Sequence, residues 1–365
     1  MMERIHGGFF PDETIEYDFS ISVNPLGMPA KAREAIEIAI SSAGKYPDPS
    51  GRQVKEAFVS YIKKRMGVCL NKEHLLLGNG AAELIYTLCF SVFSENHRKK
   101  GIVLGPTFSE YAYAVEEAGG EVVYIHTKEK NGFGLTDDEE NVLVEEIKKG
   151  VEIVFVCNPN NPTGTLFEKE RLLRILEICE RTGTVFCVDE CFMPFCDKWE
   201  KESLLAVIEK YSCLCVFRAM TKFYSMSGIR MGFLVSSNSE FLKKLRKRLQ
   251  PWNTSVLAQN ATVQALADES YVQKTRAWLT KEKAYLLDEL QRLNLKVYKA
   301  GAANFLLFEA DKDLQKNLFS HKIAVRSISE IQPENQIQTG FFRVGIRTHE
   351  ENVKLVEALK QVLYK

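Results

Sequence analysis

Three polar clusters stand where apolar runs of this chain end. Asn158-Pro159-Asn160-Asn161-Pro162-Thr163-Gly164 follows an apolar run and precedes a helical pattern. Taken alone, it needs no more than a strand-to-helix turn built from turn-forming residues. Twenty-five residues after Gly164, Val185-Phe186-Cys187-Val188 ends in Asp189-Glu190. Carboxylates at the end of a buried strand are costly unless a cation meets them, so a cationic partner is expected. A further 33 residues on, Thr221-Lys222 closes another apolar run, and Gly228-Ile229-Arg230-Met231-Gly232 follows. Carboxylates, an amine and a guanidinium delivered by successive strand ends point to ligand chemistry at one edge of a sheet.

The elements that would deliver them are legible. Between residues 75 and 236, short apolar runs alternate with helical patterns: Leu75 to Gly78, Gly101 to Gly105, Glu121 to Thr127, Val151 to Cys157, Thr184 to Asp189, Cys213 to Arg218 and Met231 to Ser236. Seven strands separated by helices need crossover connections, which predicts one mostly parallel sheet covered on both faces. In the segment from Glu168 to Arg181, Leu172, Ile175, Leu176 and Cys179 share one helical face. Thr136 and Glu139 form a capping box, and Gly150 stands where that helix should stop. After residue 237 the pattern predicts helices from Ser239 to Gln250 and from Ser255 to about Leu293. Strands near Asn304 to Glu309, Ile323 to Arg326 and Phe341 to Ile346 follow, with a last helix from His349. The expected organisation is a large α/β domain over 43–250 and a smaller α+β domain formed by 1–42 and 251–365. The proline-containing first forty residues are read as irregular, packed on the C-terminal lobe and lining the cleft.

Composition removes several classes of function. The 365 residues carry 48 Lys plus Arg against 48 Asp plus Glu, so no global field draws the chain to nucleic acid or an anionic membrane. An anionic ligand must be met by a local site. Residues 1–8 hold no apolar signal region, and no run approaches the roughly 18 apolar residues of a membrane span. A cytoplasmic protein is expected. Nine cysteines without CxxC spacing read as reduced core thiols. Cys187, Cys191 and Cys196 lack the companions of a metal site, so no metal is expected. A nicotinamide dehydrogenase is excluded because no GxGxxG opens a helix after a strand, and a DNA-binding regulator because no basic helix-turn-helix segment is present.

With Gly78-Asn79-Gly80-Ala81-Ala82-Glu83 as a glycine turn opening an apolar helix, these motifs resemble the fold-type I pyridoxal phosphate enzymes, specifically the class I/II aminotransferase superfamily. Within it the chain is similar to threonine-phosphate decarboxylases and to histidinol-phosphate aminotransferases. His6-Gly7-Gly8, Asp18-Phe19-Ser20, Asn24-Pro25-Leu26-Gly27 and Pro251-Trp252-Asn253 lean to the decarboxylase side. The resemblance implies pyridoxal 5′-phosphate as cofactor, linked through its aldehyde to Lys222, which then serves as proton shuttle. It implies that Asp189 keeps the pyridine nitrogen protonated and that Asn161 bonds the ring's 3-oxygen. It gives the cofactor phosphate to Gly80, Ala81, Ala82, Thr221 and Arg230, and ring stacking to Phe108. Tyr46 would reach the neighbouring subunit's phosphate, making a homodimer with shared active sites. The substrate, an amino acid or amino-phosphate, would meet Arg343 through its carboxylate, with Arg326, Asn24 and His6 as further contacts. Arg347 stays open between a substrate contact and a surface charge. Two departures stand out. Phe192 replaces a tyrosine that bonds the 3-oxygen in many transaminases, and the spacer between Gly8 and Asp18 is short.

Overall fold

The computed structural model describes residues 7–8, 10–11, 13–95, 99–298, 301–328 and 339–364. All seven expected strands form and build one sheet, in the order Leu75–Gly78, Gly232–Val235, Leu214–Ala219, Val185–Asp189, Ile153–Cys157, Lys100–Gly105, Glu121–His126. Gly232–Val235 runs antiparallel to both neighbours, and the remaining pairs are parallel. Successive residues of a strand enter opposite cores: Val154 and Val156 pack with Phe186, Val188 and Val216, whereas Ile153, Phe155 and Cys157 pack with Cys187 and Cys215. A strand buried on both faces has no polar alternation, and this is why these runs are apolar throughout. Helices Asp137–Gly150 and Lys169–Thr182 cover one face, and Ala81–Glu95, Glu110–Glu117 and Ser239–Arg248 the other. Thr136 and Glu139 make the expected capping box.

A second, antiparallel sheet holds Arg326–Ile328, Thr339–Gly345, Phe305–Asp311 and Lys296–Tyr298 in that order. The expected strand from Ile323 to Arg326 is divided. Ile323–Ala324 pairs in parallel with Tyr17–Asp18, and only from Arg326 does the chain join the four-stranded sheet. The N-terminal segment thus takes one stretch of the backbone and Thr339–Gly345 the next.

Two further expectations are corrected. The helix from Ser255 to Leu293 is two helices, Val256–Ala267 and Glu269–Arg292, broken at Asp268. The Asp268 carboxylate accepts from the Tyr271 amide, the N-cap role that aspartate fills better than a helix interior. The N-terminal segment is also less irregular than expected, since Ala30–Ile40 is helical and packs against Val256–Ala267. Arg52–Met66, which the sequence reading left without an element, is a helix bounded by Gly51 and Gly67, both in the left-handed region. Among the described residues no helix is long and apolar enough to cross a membrane.

Parallel strands all finish on one edge, and here that edge gathers the polar clusters. The Asn158 amide donates to Asp189 O (2.9 Å) and the Glu190 amide to Phe217 O (3.0 Å), so the ends of three adjacent strands lie side by side.

Candidate active site

A cavity of about 470 Å3 opens above this edge, lined among others by Asn161, Lys222, Arg230, Arg326 and Arg343. A second space of about 200 Å3 leads down to Asp189 and Phe192. The two share Ala82, Phe108, Asn161, Lys222 and Arg230, forming one cleft between the sheets.

The two adjacent carboxylates have opposite fates. Glu190 is fully buried and ion-paired with Arg218 at 2.7 Å, and it also accepts from the Ser203 hydroxyl (2.6 Å) and the Leu204 amide (2.8 Å). It is a satisfied core ion pair. Asp189 is 6 % exposed and accepts from the Tyr111 hydroxyl (2.7 Å) and the Cys191 amide (2.9 Å). No cationic side chain among the described residues forms an ion pair with it. A buried carboxylate at a cavity floor, held by neutral donors alone, is built to face a cationic ligand. Burial and this carboxylate push the neighbouring Cys157 thiol up to about 12, so it stays a neutral wall.

Lys222 follows the end of Leu214–Ala219 in a tightly braced turn. The Asn24 amide donates to Lys222 O (3.1 Å), and Asn24 Nδ2 donates to Phe223 O and Thr275 Oγ1 (both 2.9 Å). Tyr271 donates to Gly27 O (2.6 Å) and Phe223 O (3.2 Å). Asn24, expected at the substrate, is therefore spent on the protein: its side chain sits beneath the lysine turn and does not line the cleft. Burial lowers the Lys222 amine to about 8, with the Arg343 guanidinium as the next cause. A large neutral fraction near pH 8 makes the amine a usable nucleophile.

The turn opening helix Ala81–Glu95 is cleared for an anion by two glycines. Gly80 has a φ of +82°, and a Cβ there would strike the Arg230 guanidinium. A Cβ on Gly232 would strike the Ala81 amide nitrogen and lie 2.8 Å from Gly80 O. Glu83 accepts from the Asn79 amide (2.7 Å) and from Asn253 Nδ2 (2.7 Å), which fixes the turn. First-turn amides of a helix lack intrahelical acceptors, so Ala81 and Ala82, both lining the cleft, present donors beside Arg230 and Thr221.

Arg343 and Arg326 face one another across paired strands and both line the cleft. Arg343 donates to Asn161 Oδ1 and to Ser20 O (2.6 Å), and its guanidinium lies 5.2 Å from the Phe305 ring centre. Asn158 and Asn160 point elsewhere. Asn158 Oδ1 caps the Phe167 amide, and Asn160 bonds Pro106, Thr107 and Thr163, leaving Asn161 as the motif's cleft residue. Arg347 is placed outside the cleft, bound to Glu351 at 2.7 Å on the last helix. Tyr46 is also outside it, 79 % exposed and stacked on Trp252 with ring centres 4.4 Å apart. His6 lies outside the described residues. Gly7, Ser20, Ile21 and Ser22 line the cleft from the N-terminal segment.

Sequence reasoning missed Tyr111. It lies one helical turn beyond Phe108, and its ring meets Phe108 edge-on at 5.5 Å and stacks on Phe155 at 5.1 Å. That spacing from a cleft aromatic is the one signal that could have exposed it. Among the described residues no group of three His, Cys, Asp or Glu side chains is placed to hold a metal ion.

Comparison with known proteins agrees with this geometry. The family model for aminotransferase class I and II matches residues 14–359. The threonine-phosphate decarboxylase of Salmonella typhimurium is 30% identical over 98% of this chain and 93% of its own length. The histidinol-phosphate aminotransferase of Methanosphaera stadtmanae is 27% identical over 93% of this chain and 88% of its own. The crystal structure of the histidinol-phosphate aminotransferase from Clostridium acetobutylicum superposes with a TM-score of 0.83 at 30% identity, covering 95% of this chain and 99% of that one. A family model spanning the Lys222 turn, the Asp189 strand end and both cleft arginines leaves one assignment: the chain belongs to the pyridoxal phosphate-dependent class I and II aminotransferase family.

Proposed function

We propose that this enzyme decarboxylates threonine phosphate. The observation that carries the proposal is the pair Arg326 and Arg343, set opposite each other in the register of neighbouring strands. Both guanidinium groups line the cleft, and a substrate with a carboxylate and a phosphate offers an anionic acceptor to each. The likeness to the Salmonella decarboxylase supports the same reading.

The site residues fit pyridoxal phosphate. Asp189 offers an uncompensated carboxylate for a pyridinium nitrogen, the Gly80–Ala82 turn with Thr221 and Arg230 offers donors for a phosphate, and Lys222 offers an amine for an aldehyde. When bound, the cofactor supplies an electron sink for the bond broken at the substrate α-carbon. Asp189 would hold the positive charge on the ring nitrogen, and Tyr111 and Cys191 fix the carboxylate's orientation. Arg343 orients the substrate carboxylate, and Asn161 restrains Arg343. With the cofactor bound, Lys222 Nζ would be placed to deliver a proton to the α-carbon in place of the departing carbon dioxide. Phe192 brings an apolar wall where a hydroxyl would otherwise contact the ring, packing edge-on against Phe305 at 5.2 Å.

Incubating holoenzyme with threonine phosphate or histidinol phosphate, each with 2-oxoglutarate, tests this. Carbon dioxide from threonine phosphate is the expected product. Glutamate from histidinol phosphate without carbon dioxide from threonine phosphate would replace the proposal with amino transfer.

The depressed Lys222 pKa has a consequence for cofactor uptake. Only the neutral amine attacks an aldehyde, so covalent uptake of pyridoxal phosphate by apoenzyme should rise with pH to a midpoint near 8. Arg343→Gln removes the leading charge that lowers this pKa and should move the midpoint upward. A midpoint in the ordinary lysine range in the unaltered protein would contradict the assignment.

The proposal includes a cytoplasmic homodimer. The nine cysteines are all free, as a reducing compartment requires. The exposed Tyr46–Trp252 stack is an apolar surface suited to burial by a second copy, from which Tyr46 would reach the partner's phosphate turn. Sedimentation should give twice the 41.5 kDa chain mass, and Tyr46→Ala should loosen pyridoxal phosphate in equilibrium dialysis. A stable, fully active monomer would refute the shared site.

A further inference from the structure

Lys55 is 6 % exposed on helix Arg52–Met66, yet among the described residues its ammonium makes no hydrogen bond or ion pair. Its stem is packed away from water while the side chain borders an adjoining cavity, so the ammonium is open to whatever occupies that space. The side chain lines a cavity of about 330 Å3 walled by Leu76, Leu249, Trp252, Arg246 and Lys247. Three cations border this space, and none of its lining residues is Asp or Glu. Of the nearby acids, Asp48 accepts from the Ser50 amide (2.8 Å), the Ser50 hydroxyl (2.7 Å) and the Arg52 amide (3.0 Å), and Glu73 lies 3.9 Å from Arg246, one of the three cations. Burial, and next to it Arg246, hold the Lys55 amine below its ordinary range.

The cavity is distinct from the catalytic cleft. It shares no lining residue with the cleft. We propose that it is a second anion site, binding the phosphate group of a small phosphorylated molecule through Lys55 with Arg246 and Lys247. One ammonium that is almost wholly buried and two further cations around the space suit a phosphate, a dianion with acceptors on every face. Leu76 and Leu249 provide an apolar wall for the remainder of a monoester.

Calorimetric titration of holoenzyme with inorganic phosphate, and in parallel with glycerol 3-phosphate, tests the site. Arg326→Gln, at the cleft arginine left for the substrate phosphate, serves to remove phosphate binding in the catalytic cleft. One saturable site for at least one of the two probes is expected to survive Arg326→Gln. That site should weaken at least about tenfold in Lys55→Met, the loss of one charge-assisted contact. Turnover in Lys55→Met should be unchanged, and Arg246→Gln should weaken binding in the same direction. Retention of the site in Lys55→Met, disappearance of all binding in Arg326→Gln, or absence of binding by both probes would overturn the proposal. So would a change of sedimentation coefficient in Lys55→Met, because the acceptor would then be a carboxylate of a second copy.

Discussion

Asp189→Ala is expected to keep the fold and the covalent attachment of pyridoxal phosphate but to lose turnover on the order of 10³-fold, the scale seen when one preorganised electrostatic partner is removed from a buried site. The reason lies in the contrast with its neighbour. Glu190 has Arg218, and deleting either would leave a buried charge unpaired and damage the fold. Asp189 is met in the protein by neutral donors only, from Tyr111 and Cys191. Removing it relieves a desolvated charge, so the cost should appear in catalysis and not in thermal stability. Asp189→Asn separates charge from shape, since it can keep the contact with Tyr111 yet cannot hold a positive ring nitrogen. Steady-state kinetics beside a melting curve gives the answer. Near-normal turnover in a folded Asp189→Ala enzyme would make the residue structural.

Lys222→Ala is expected to cost more, at least about 10⁴-fold in turnover, because it removes the nucleophile and the proton donor together. The turn itself should survive. Its bracing comes from the Lys222 carbonyl, Asn24, Phe223 and Tyr271, none of which needs the lysine side chain. Lys222→Ala should therefore bind pyridoxal phosphate without forming a covalent link, its phosphate still held at the Gly80–Ala82 turn. Lys222→Arg keeps a charge but has no neutral amine at working pH, so it should be equally inactive. An active Lys222→Ala enzyme would require another amine in the cleft.

The strands of the large sheet were legible because burial on both faces leaves a simple mark, short apolar runs ended by polar residues. The same mark located the strand ends that carry Asp189, Asn161 and Lys222, since parallel strands must deliver their ends to one edge, and the resemblance picked out these residues within them. Strand-end position alone could not decide which of Asp189 and Glu190 meets a protein cation, because Arg218 lies on another strand. Asn24 was misplaced for a related reason. Its loop resembles a ligand contact, yet its partners Phe223 and Thr275 belong to segments far along the chain. Arg347 was left open because a strand-end arginine does not reveal that the next helix offers Glu351 one turn on. The Asp268 break was hidden because no glycine or proline marks it and the cap is a single aspartate bonding to the Tyr271 amide. In each case a long-range or capping hydrogen bond decided the outcome.

The claim on which the rest depends is that the cleft between the two sheets holds pyridoxal phosphate through Lys222. Borohydride reduction of holoenzyme, followed by proteolysis and peptide mass spectrometry, tests it directly. The account requires the visible absorbance band to disappear and one pyridoxyl adduct to map to Lys222. An adduct on any other lysine, or a purified enzyme that takes up no pyridoxal phosphate at any pH, would contradict it.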